Sequence, residues 1–388
     1  FKASSKHRPG SARRTRRTRA RGPRAARTDR QLKGTRTVKL LITGGSGFLG
    51  YHIANDLAGR DLEFILYDIA PADLSEYPEG TVYEAGDIRD RARLDEVIAA
   101  HRPDACVHGA AALPLWPPDE IQTVNVDGTE NVLQACLDGG IKRVVQISST
   151  AVYGVPEKHP LFETDPMIGV GPYGETKIAA ERLCENWRHK GLEVCIIRPK
   201  TFIGTARLGV FQILYDWVES GCKIPVIGPG FNRYQLLEVG DLVEAIYLGL
   251  TKPAELANDT FNVGAKEFGT VREDVGALCD YAGSGSRVIG TWAPAVKLFL
   301  RIAELLHLSP LYKWVYGTAD TDSFVSTEKI ERELGWEPRF SNADALRRSY
   351  QWYLEHKDEI AGATGITHRV AWSQGILKVV KWLMGGRR

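Results

Sequence analysis

One stretch near the start of this 388-residue chain reads Val38-Lys39-Leu40-Leu41-Ile42-Thr43-Gly44-Gly45-Ser46-Gly47-Phe48-Leu49-Gly50. The apolar run predicts a short strand, and the spacing of apolar residues from Phe48 to Leu57 predicts the helix that follows. Glycines between the two allow a tight turn, in which backbone N–H groups approach a pyrophosphate at the N-terminus of the helix. The stretch therefore predicts the first strand, turn and helix of a nucleotide-binding sheet.

Strands and helices continue to alternate over the next 150 residues. The pattern predicts strands at 63–67, 81–84, 105–108, 143–147 and 192–197, and helices at 120–137 and 173–189. Such alternation implies βαβ units and a parallel sheet. We therefore expect an α/β fold in which residues 37–199 form a Rossmann doubly wound parallel sheet.

The pattern loosens after Pro199, where Gly and Pro punctuation indicates a smaller C-terminal substrate-binding domain. We assign it mainly to residues 200–360, with some segments returning to the Rossmann sheet, and expect an amphipathic helix over 361–388. In folds of this kind ligands bind at the carboxyl edge of the sheet, so this domain is expected to cap that edge.

Charge is distributed unevenly along the chain. Residues 1–36 hold 14 of the 50 Lys and Arg but one of the 48 Asp and Glu. This segment is almost free of large apolar residues, so we expect a disordered basic tail with no catalytic role. A transit-like peptide and a nucleic-acid-binding arm are alternatives, but the Phe at position 1 favours sequence read from upstream of the true start, or a fragment. The rest of the chain is acidic, which gives no reason to expect nucleic acid on the folded body.

The composition also argues against a metal centre and a membrane-spanning enzyme. The six cysteines form no C-x-x-C pair and lie partly in apolar runs, so we expect reduced, buried thiols and no metal. The sequence contains no run of 18 uncharged apolar residues and no secretory signal. We therefore expect a cytoplasmic enzyme.

One carboxylate residue indicates which dinucleotide cofactor the protein uses. Asp68 ends the second predicted strand, 18 residues after Gly50, where it can accept both ribose hydroxyls and would repel a 2′-phosphate. This favours NAD over NADP, although a surface turn is the alternative for an isolated Asp. The residues that we predict to bind NAD are Gly44, Ser46, Gly47, Phe48, Leu49, Gly50, Asp68, Asp87, Ile88, Gly109, Ala110, Ala111, Asn125, Tyr173, Lys177 and Pro199.

A tyrosine and a lysine four residues apart carry the predicted chemistry. On a helix, Tyr173 and Lys177 share one face, where an ammonium and a positive nicotinamide would stabilise a phenolate. A Y-x-x-x-K pattern alone is typical of a solvated helix face. Ser149, which follows the fifth predicted strand, adds a hydroxyl that can hold the substrate oxygen, with Thr150 as the weaker alternative. We therefore predict Ser149, Tyr173 and Lys177 as the catalytic residues, with Tyr173 as the base.

These motifs together resemble the extended short-chain dehydrogenase/reductase family, in its NAD-dependent epimerase/dehydratase group. The resemblance runs from about residue 38 to about residue 353. It rests on Gly44-x-x-Gly47-x-x-Gly50, Asp68, Gly86-Asp87, His108-Gly-Ala-Ala, Asn125-Val-x-Gly-Thr, Ser148-Ser149-Thr150, Tyr173-x-x-x-Lys177, Arg198-Pro199 and Leu334-Gly-Trp-Glu-Pro338. It implies an oxidoreductase that uses NAD on a small-molecule substrate, and it implies a homodimer, as family members often form.

The resemblance leaves more than one substrate class open. Thr150-Ala151 stands where the dehydratases carry Asp-Glu, which favours an epimerase of a nucleotide-linked sugar. The epimerases usually clamp the pyrophosphate with two arginines, and Tyr234 and Tyr316 stand at those positions, with Arg233 one place early. The alternative is a 3β-hydroxysteroid dehydrogenase-like enzyme of a sterol or other lipid alcohol. A non-catalytic NAD-binding regulator is a third alternative, which the complete catalytic set disfavours.

Two apolar helices bear on the lipid alternative. Trp292-Ala-Pro294 and the predicted helix at 295–308 resemble the steroid branch, and we slightly favour core packing of this helix over a lipid surface. Near the C-terminus, apolar residues at helical spacing have basic neighbours, which permits peripheral membrane contact or packing on the protein itself. The apolar residues are Trp372, Ile376, Val379, Val380 and Leu383, and the basic ones are Lys378, Lys381, Arg387 and Arg388.

Overall fold

Seven parallel strands form the central sheet. The structure is a computed structural model, and it describes residues 37–114, 116–206, 210–306, 313–360 and 377–385. The strands of the described residues are β1 (Val38–Thr43), β2 (Leu62–Asp68), β3 (Val82–Ala85), β4 (Ala105–His108), β5 (Arg143–Ile147), β6 (Glu193–Pro199), β7 (Thr201–Ile203), β8 (Lys223–Val226), β9 (Leu236–Glu238), β10 (Thr260–Val263) and β11 (Arg287–Gly290). In the sheet the order is β10-β6-β5-β4-β1-β2-β3, so the predicted Rossmann-type α/β fold is confirmed.

Helices cover both faces of this sheet and fill the C-terminal half. They are α1 (Phe48–Asp56), α2 (Arg91–His101), α3 (Pro118–Gln122), α4 (Gly128–Asp138), α5 (Gly171–His189), α6 (Val210–Glu219), α7 (Val239–Thr251), α8 (Ala254–Ala257), α9 (Val271–Ala282), α10 (Ala293–Leu305), α11 (Lys313–Thr318), α12 (Glu328–Leu334), α13 (Asn342–Ile360) and α14 (Leu377–Leu383). A π-helical segment, Thr123–Asp127, joins α3 to α4. The predicted helix at 120–137 therefore corresponds to three consecutive helical segments.

Alternation of side chains along β1 divides the core into two layers. Leu40 and Ile42 pack on one face of the sheet with α1, α7 and Trp336, whereas Leu41 packs on the other face with α2, α4 and α5. Both faces are covered because most crossovers between the parallel strands carry an α-helix. A fully buried large apolar side chain contributes about 1.5–3 kcal/mol, so these layers hold the carboxyl ends of the strands in fixed positions.

Some segments after Pro199 join this sheet, and the others form a separate lobe. β10 pairs with β6 at the edge of the sheet, and α7 belongs to the core of the sheet. The rest, which we name the C-terminal lobe, contains the two-stranded pairs β7–β9 and β8–β11. Its core includes Tyr215 and Leu278 from α6 and α9.

Two apolar helices differ from expectation or are only partly described. Leu298 and Ile302 of α10 are 59% and 49% exposed, whereas Leu300 and Ala303 of the same helix are buried. The core packing that the sequence favoured is therefore wrong for the face that carries Leu298 and Ile302. α14 covers Leu377–Leu383, with Val380 packed against the lobe core. Trp372, Ile376, Arg387, Arg388 and the tail at 1–36 lie outside the described residues.

Three further observations concern membranes, cysteines and metals. Within the ranges given above, no helix has the length and apolarity that crossing a membrane requires. All six cysteines are buried and free. The same ranges contain no group of three or more His, Cys, Asp or Glu arranged to hold a metal ion.

Candidate active site

The glycine-rich turn between β1 and α1 depends on the absence of side chains. Gly44 adopts a positive φ of 73°, and a Cβ there would lie 2.8 Å from the backbone nitrogen of Ala110. A Cβ on Gly50 would lie 2.5 Å from the Gly45 carbonyl oxygen. Gly50 therefore lets α1 pack onto the turn, and Gly44 lets the turn pass beside the end of β4.

Asp68 is held at the end of β2 by backbone donors. One carboxylate oxygen accepts the Ser46 N–H at 3.0 Å and the other accepts the Ala70 N–H at 2.9 Å. Burial raises the pKa of the Asp68 carboxyl, and these N–H donors oppose that rise. The Ser46 hydroxyl donates to the Ala70 carbonyl oxygen at 2.9 Å. Ser46 thus fixes the loop that carries Asp68.

A cleft of about 300 Å³, which we name the glycine cleft, runs along the carboxyl ends of β1, β2 and β4. Twelve of the sequence-predicted cofactor residues line it. They are Gly44, Gly47, Phe48, Leu49, Asp68, Asp87, Ile88, Gly109, Ala110, Ala111, Tyr173 and Lys177. The fold therefore brings together side chains that are more than 130 positions apart in the sequence.

The other four predicted residues do not line the glycine cleft. Ser46 and Gly50 shape the turn, as described above. Asn125 is buried, and its side-chain amide bonds the N–H and the carbonyl of Ala112 and the Thr176 hydroxyl. Asn125 thus ties the exit of β4 to α5. Pro199 instead lines a neighbouring pocket.

Sequence reasoning missed several residues of the glycine cleft, among them Ile69, Arg89 and Phe202. Ile69 directly follows Asp68 and is largely exposed. Its position next to the acidic residue at the strand end is the sequence signal that could have placed it in the cleft. Arg89 pairs with Asp87 at 2.6 Å and lowers the pKa of that carboxyl. Phe202 belongs to β7, and nothing in the local pattern placed it near α1, where its ring stacks on Phe48.

Tyr173 lies in the first turn of α5, and Lys177 follows one turn later. The Lys177 amine donates to the Ile147 carbonyl oxygen at 3.0 Å and lies 5.8 Å from the centre of the Tyr173 ring. Burial raises the pKa of Tyr173 to about 12, and a hydrogen bond with the Ser149 side chain opposes the rise. Burial lowers the pKa of Lys177 to about 8. The lowered phenol pKa expected from the sequence is therefore not seen in the protein alone.

The two serines after β5 have separate partners. The Ser148 hydroxyl donates to the buried carboxylate of Glu181, which also forms an ion pair with Arg198 at 2.5 Å. Ser149 instead accepts the Ala151 N–H at 3.1 Å and bonds the Tyr173 side chain. Ser148 is thus engaged in the core, and Ser149 is the serine whose hydroxyl reaches Tyr173.

A second cavity of about 390 Å³, which we name the lobe pocket, lies between the sheet edge and the C-terminal lobe. Ser149, Thr150 and Pro199 line it, together with Lys200 and Tyr234. Tyr173 lines both cavities. The phenol therefore lies at the junction of the glycine cleft and the lobe pocket.

Tyr234 and Tyr316 stand at the two positions where the resemblance implies arginines. The Tyr234 hydroxyl lies 3.0 Å from the Thr201 hydroxyl in the wall of the lobe pocket, and Tyr316 is buried. The Arg233 guanidinium lies over the rings of Phe268 and Phe324, at 4.6 and 4.7 Å from their centres. Arg233 is not among the described residues that line the pocket.

Comparison with known proteins agrees with this geometry. The sequence model of the NAD dependent epimerase/dehydratase family matches residues 40–264. An uncharacterised protein of Sinorhizobium fredii is 32% identical, covering 89% of the chain and 86% of the relative. A UDP-glucose 4-epimerase of Rhizobium meliloti is 37% identical, covering 81% and 96%.

A solved structure extends the likeness to the fold. The UDP-glucose 4-epimerase of Thermus thermophilus, in complex with NAD, superposes with a TM-score of 0.66 at 25% identity, covering 82% of the chain and 99% of that protein. The family model spans the glycine turn, Tyr173 and Lys177, so it includes the residues on which the resemblance rests. The chain belongs to the NAD dependent epimerase/dehydratase family, a branch of the extended short-chain dehydrogenases/reductases.

Proposed function

We propose that this protein is an NAD-dependent epimerase that oxidises and re-reduces a secondary alcohol of a nucleotide-linked sugar, with Tyr173 as the base. Tyr173 lines both the glycine cleft and the lobe pocket. An alcohol bound in the lobe pocket and a cofactor bound in the glycine cleft would meet at this phenol. Relatives that match most of the chain include a UDP-glucose 4-epimerase and a dTDP-glucose 4,6-dehydratase.

The residues of the glycine cleft fit a dinucleotide. Gly44, Gly47 and Phe48 line the cleft, so the glycine turn and the N-terminus of α1 face the space that a pyrophosphate would occupy, as in other Rossmann turns. The Asp68 carboxylate supplies the acceptor for the ribose hydroxyls, and Lys177 and Tyr173 end the cleft. Bound NAD supplies the carbon that takes up the hydride of the alcohol and later returns it.

The side chains of the protein handle the proton. The Ser149 hydroxyl holds the substrate oxygen, and Tyr173, once ionised to its phenolate, takes the alcohol proton and later gives it back. With a pKa of about 12, ionising the phenol at pH 7 costs on the order of 7 kcal/mol, at about 1.4 kcal/mol per unit. The Lys177 ammonium and a second positive charge in the cleft are needed to lower this cost.

Product analysis tests the substrate class. The purified protein with NAD is incubated with UDP-glucose, UDP-galactose and other UDP-sugars, and the products are identified by NMR. We expect an epimeric sugar and no accumulation of NADH at 340 nm, because an epimerase returns its hydride. Failure of every nucleotide sugar to epimerise would contradict the proposal.

A second candidate is oxidation of a sterol or other lipid alcohol. It is favoured by Tyr234 and Tyr316 at the arginine positions and by the exposed apolar face of α10. The same assay with hydroxysteroids separates the two, since a dehydrogenase forms NADH in proportion to product. Stoichiometric NADH with a hydroxysteroid, and none with UDP-sugars, would establish this alternative.

A further inference from the structure

Lys200 is a buried cation in the wall of the lobe pocket that the proposed proton transfer does not use. It follows the last residue of β6, and its backbone N–H donates to the Val263 carbonyl oxygen at 2.9 Å. The residue is 4% exposed. Among the described residues that line the pocket, Lys200 is the only lysine or arginine.

The partners of the Lys200 amine are neutral. It donates to the Ser323 hydroxyl oxygen at 2.6 Å and lies 5.0 Å from the centre of the Tyr234 ring. It forms no ion pair with a carboxylate of the described residues, and burial alone lowers its pKa to about 7. Asp322 lines the pocket too, but it is exposed and accepts the Arg233 N–H at 2.8 Å. A buried ammonium without a counter-charge is unfavourable.

Hydrogen-bond donors surround this amine. One of its three N–H groups bonds Ser323, which leaves two for a ligand. Because the Ser323 oxygen accepts from the amine, its own proton can be donated to a ligand. The paired hydroxyls of Tyr234 and Thr201 hold a further proton that one of them can donate into the pocket. This end of the pocket therefore offers several donors and an amine whose charged form an anion would stabilise.

We propose that Lys200, Ser323 and Tyr234 form a subsite for an oxyanion of the substrate. Two parts of a nucleotide-linked sugar carry this chemistry: the diphosphate, and the carboxylate of a uronic acid. The inference rests on the proposed function for the identity of the substrate, but the anion site itself does not.

The first experiment uses small oxyanions. The melting temperature of the NAD-loaded protein is measured with pyrophosphate, with D-glucuronate and with neutral D-glucose. We expect at least one oxyanion to stabilise the wild type, D-glucose to have no effect, and Lys200→Met to abolish the response. Lys329→Met is the control, because Lys329 pairs with Asp259 outside the pocket; it should respond like the wild type. Lys200→Gln replaces Lys200→Met if the latter does not fold.

Nucleotide sugars identify the source of the anion. Calorimetric titration compares UDP-glucose with UDP-glucuronate on both lysine variants. A loss of affinity of at least tenfold for both ligands in Lys200→Met identifies the diphosphate, and a loss for UDP-glucuronate alone identifies the sugar carboxylate. An oxyanion response that depends on Lys200, without epimerisation of any nucleotide sugar, would keep the subsite and refute the proposed function. No oxyanion response in the wild type, or an unchanged response in Lys200→Met, overturns the inference.

Discussion

At the scale of single residues, burial moves the proton affinities of Tyr173 and Lys177 in opposite directions. The phenol pKa rises to about 12 and the amine pKa falls to about 8, because burial favours the neutral form of each group. Without cofactor, the phenol is therefore protonated at pH 7. To act as the proposed base, the Tyr173 phenol therefore requires positive charge in the glycine cleft, which would favour its ionised form.

Gly44 provides a prediction with a matched control. Gly44→Ala should weaken NAD binding at least tenfold, because its Cβ would meet the Ala110 nitrogen at 2.8 Å and shift the turn. Gly80 also has a positive φ, of 85°, but a Cβ there would meet nothing within 4 Å. Gly80→Ala should introduce only backbone strain, which should lower the free energy of unfolding by about 1–3 kcal/mol. Calorimetric NAD affinities check both, and equal affinities of the two variants would refute the role of Gly44.

His108 should make the folding stability of the protein depend on pH. It is fully buried between the hydroxyls of Thr43 and Thr129, and burial lowers its pKa to about 3, against 6.5 in the unfolded chain. The unfolded state therefore binds the proton first, and stability is lost as the pH falls from 6.5 towards 3. The loss should be about 1.4 kcal/mol per pH unit.

Urea unfolding at pH 7.5, 6.5 and 5.5 tests this dependence. His108→Gln should flatten the slope below pH 6.5, although it lowers stability at every pH. His189→Gln, at an exposed position, should leave the slope unchanged. If His108→Gln keeps the slope of the wild type, His108 is not the group responsible.

At the scale of elements, one buried ion pair fixes α5 against the sheet. The Arg198 guanidinium on β6 bonds Glu181 of α5 at 2.5–3.1 Å, and both side chains are almost fully buried. It also donates to the Tyr153 hydroxyl at 2.8 Å. Because α5 carries Tyr173 and Lys177, this pair sets the position of the phenol relative to the ends of β5 and β6.

Breaking this pair from one side should be costly. Arg198→Met leaves the Glu181 carboxylate buried without its cation and should lower the free energy of unfolding by about 3–5 kcal/mol. Arg332→Met, which removes a surface pair with Glu333, should change it by about 1 kcal/mol or less. Urea denaturation measures both. Equal effects of the two variants would show that the buried pair does not hold α5.

The elements that the sequence predicts well are those with local signals. The β1 strand, the glycine turn and α1 are adjacent in the chain, and the period of the apolar residues is visible there. The end of β5 and the start of α5 were also predicted, because the hydroxyls and the Y-x-x-x-K spacing are local. The face of α10 was misjudged, because an apolar stripe does not reveal whether anything lies against it.

At the scale of the whole molecule, the lobe pocket is built from segments far apart in sequence. Ser149, Lys200, Tyr234 and Ser323 come from the ends of β5 and β6, from the segment before β9 and from the segment before α12. No periodicity relates these positions, so Lys200 could not be recognised as a pocket residue from the sequence. The glycine cleft was largely predictable because its residues follow consecutive strands.

The compact unit begins at Thr37, and β1 begins one residue later. Removal of residues 1–36 should therefore leave the melting temperature, the NAD affinity and the turnover number unchanged. The truncated and full-length proteins are compared under identical buffer conditions. A large loss of turnover in the truncated protein would show that the basic segment takes part in the active enzyme.

The turnover number of Tyr173→Phe, measured by product NMR at saturating nucleotide sugar, tests the proposed proton transfer. The turnover number of the variant should be lower than that of the wild type by on the order of 10²- to 10⁴-fold. Its NAD affinity should equal that of the wild type. Tyr281→Phe, on an exposed part of α9, should turn over normally. Turnover of Tyr173→Phe within a few-fold of the wild type would contradict the claim that this phenol, at the junction of the two cavities, moves the proton.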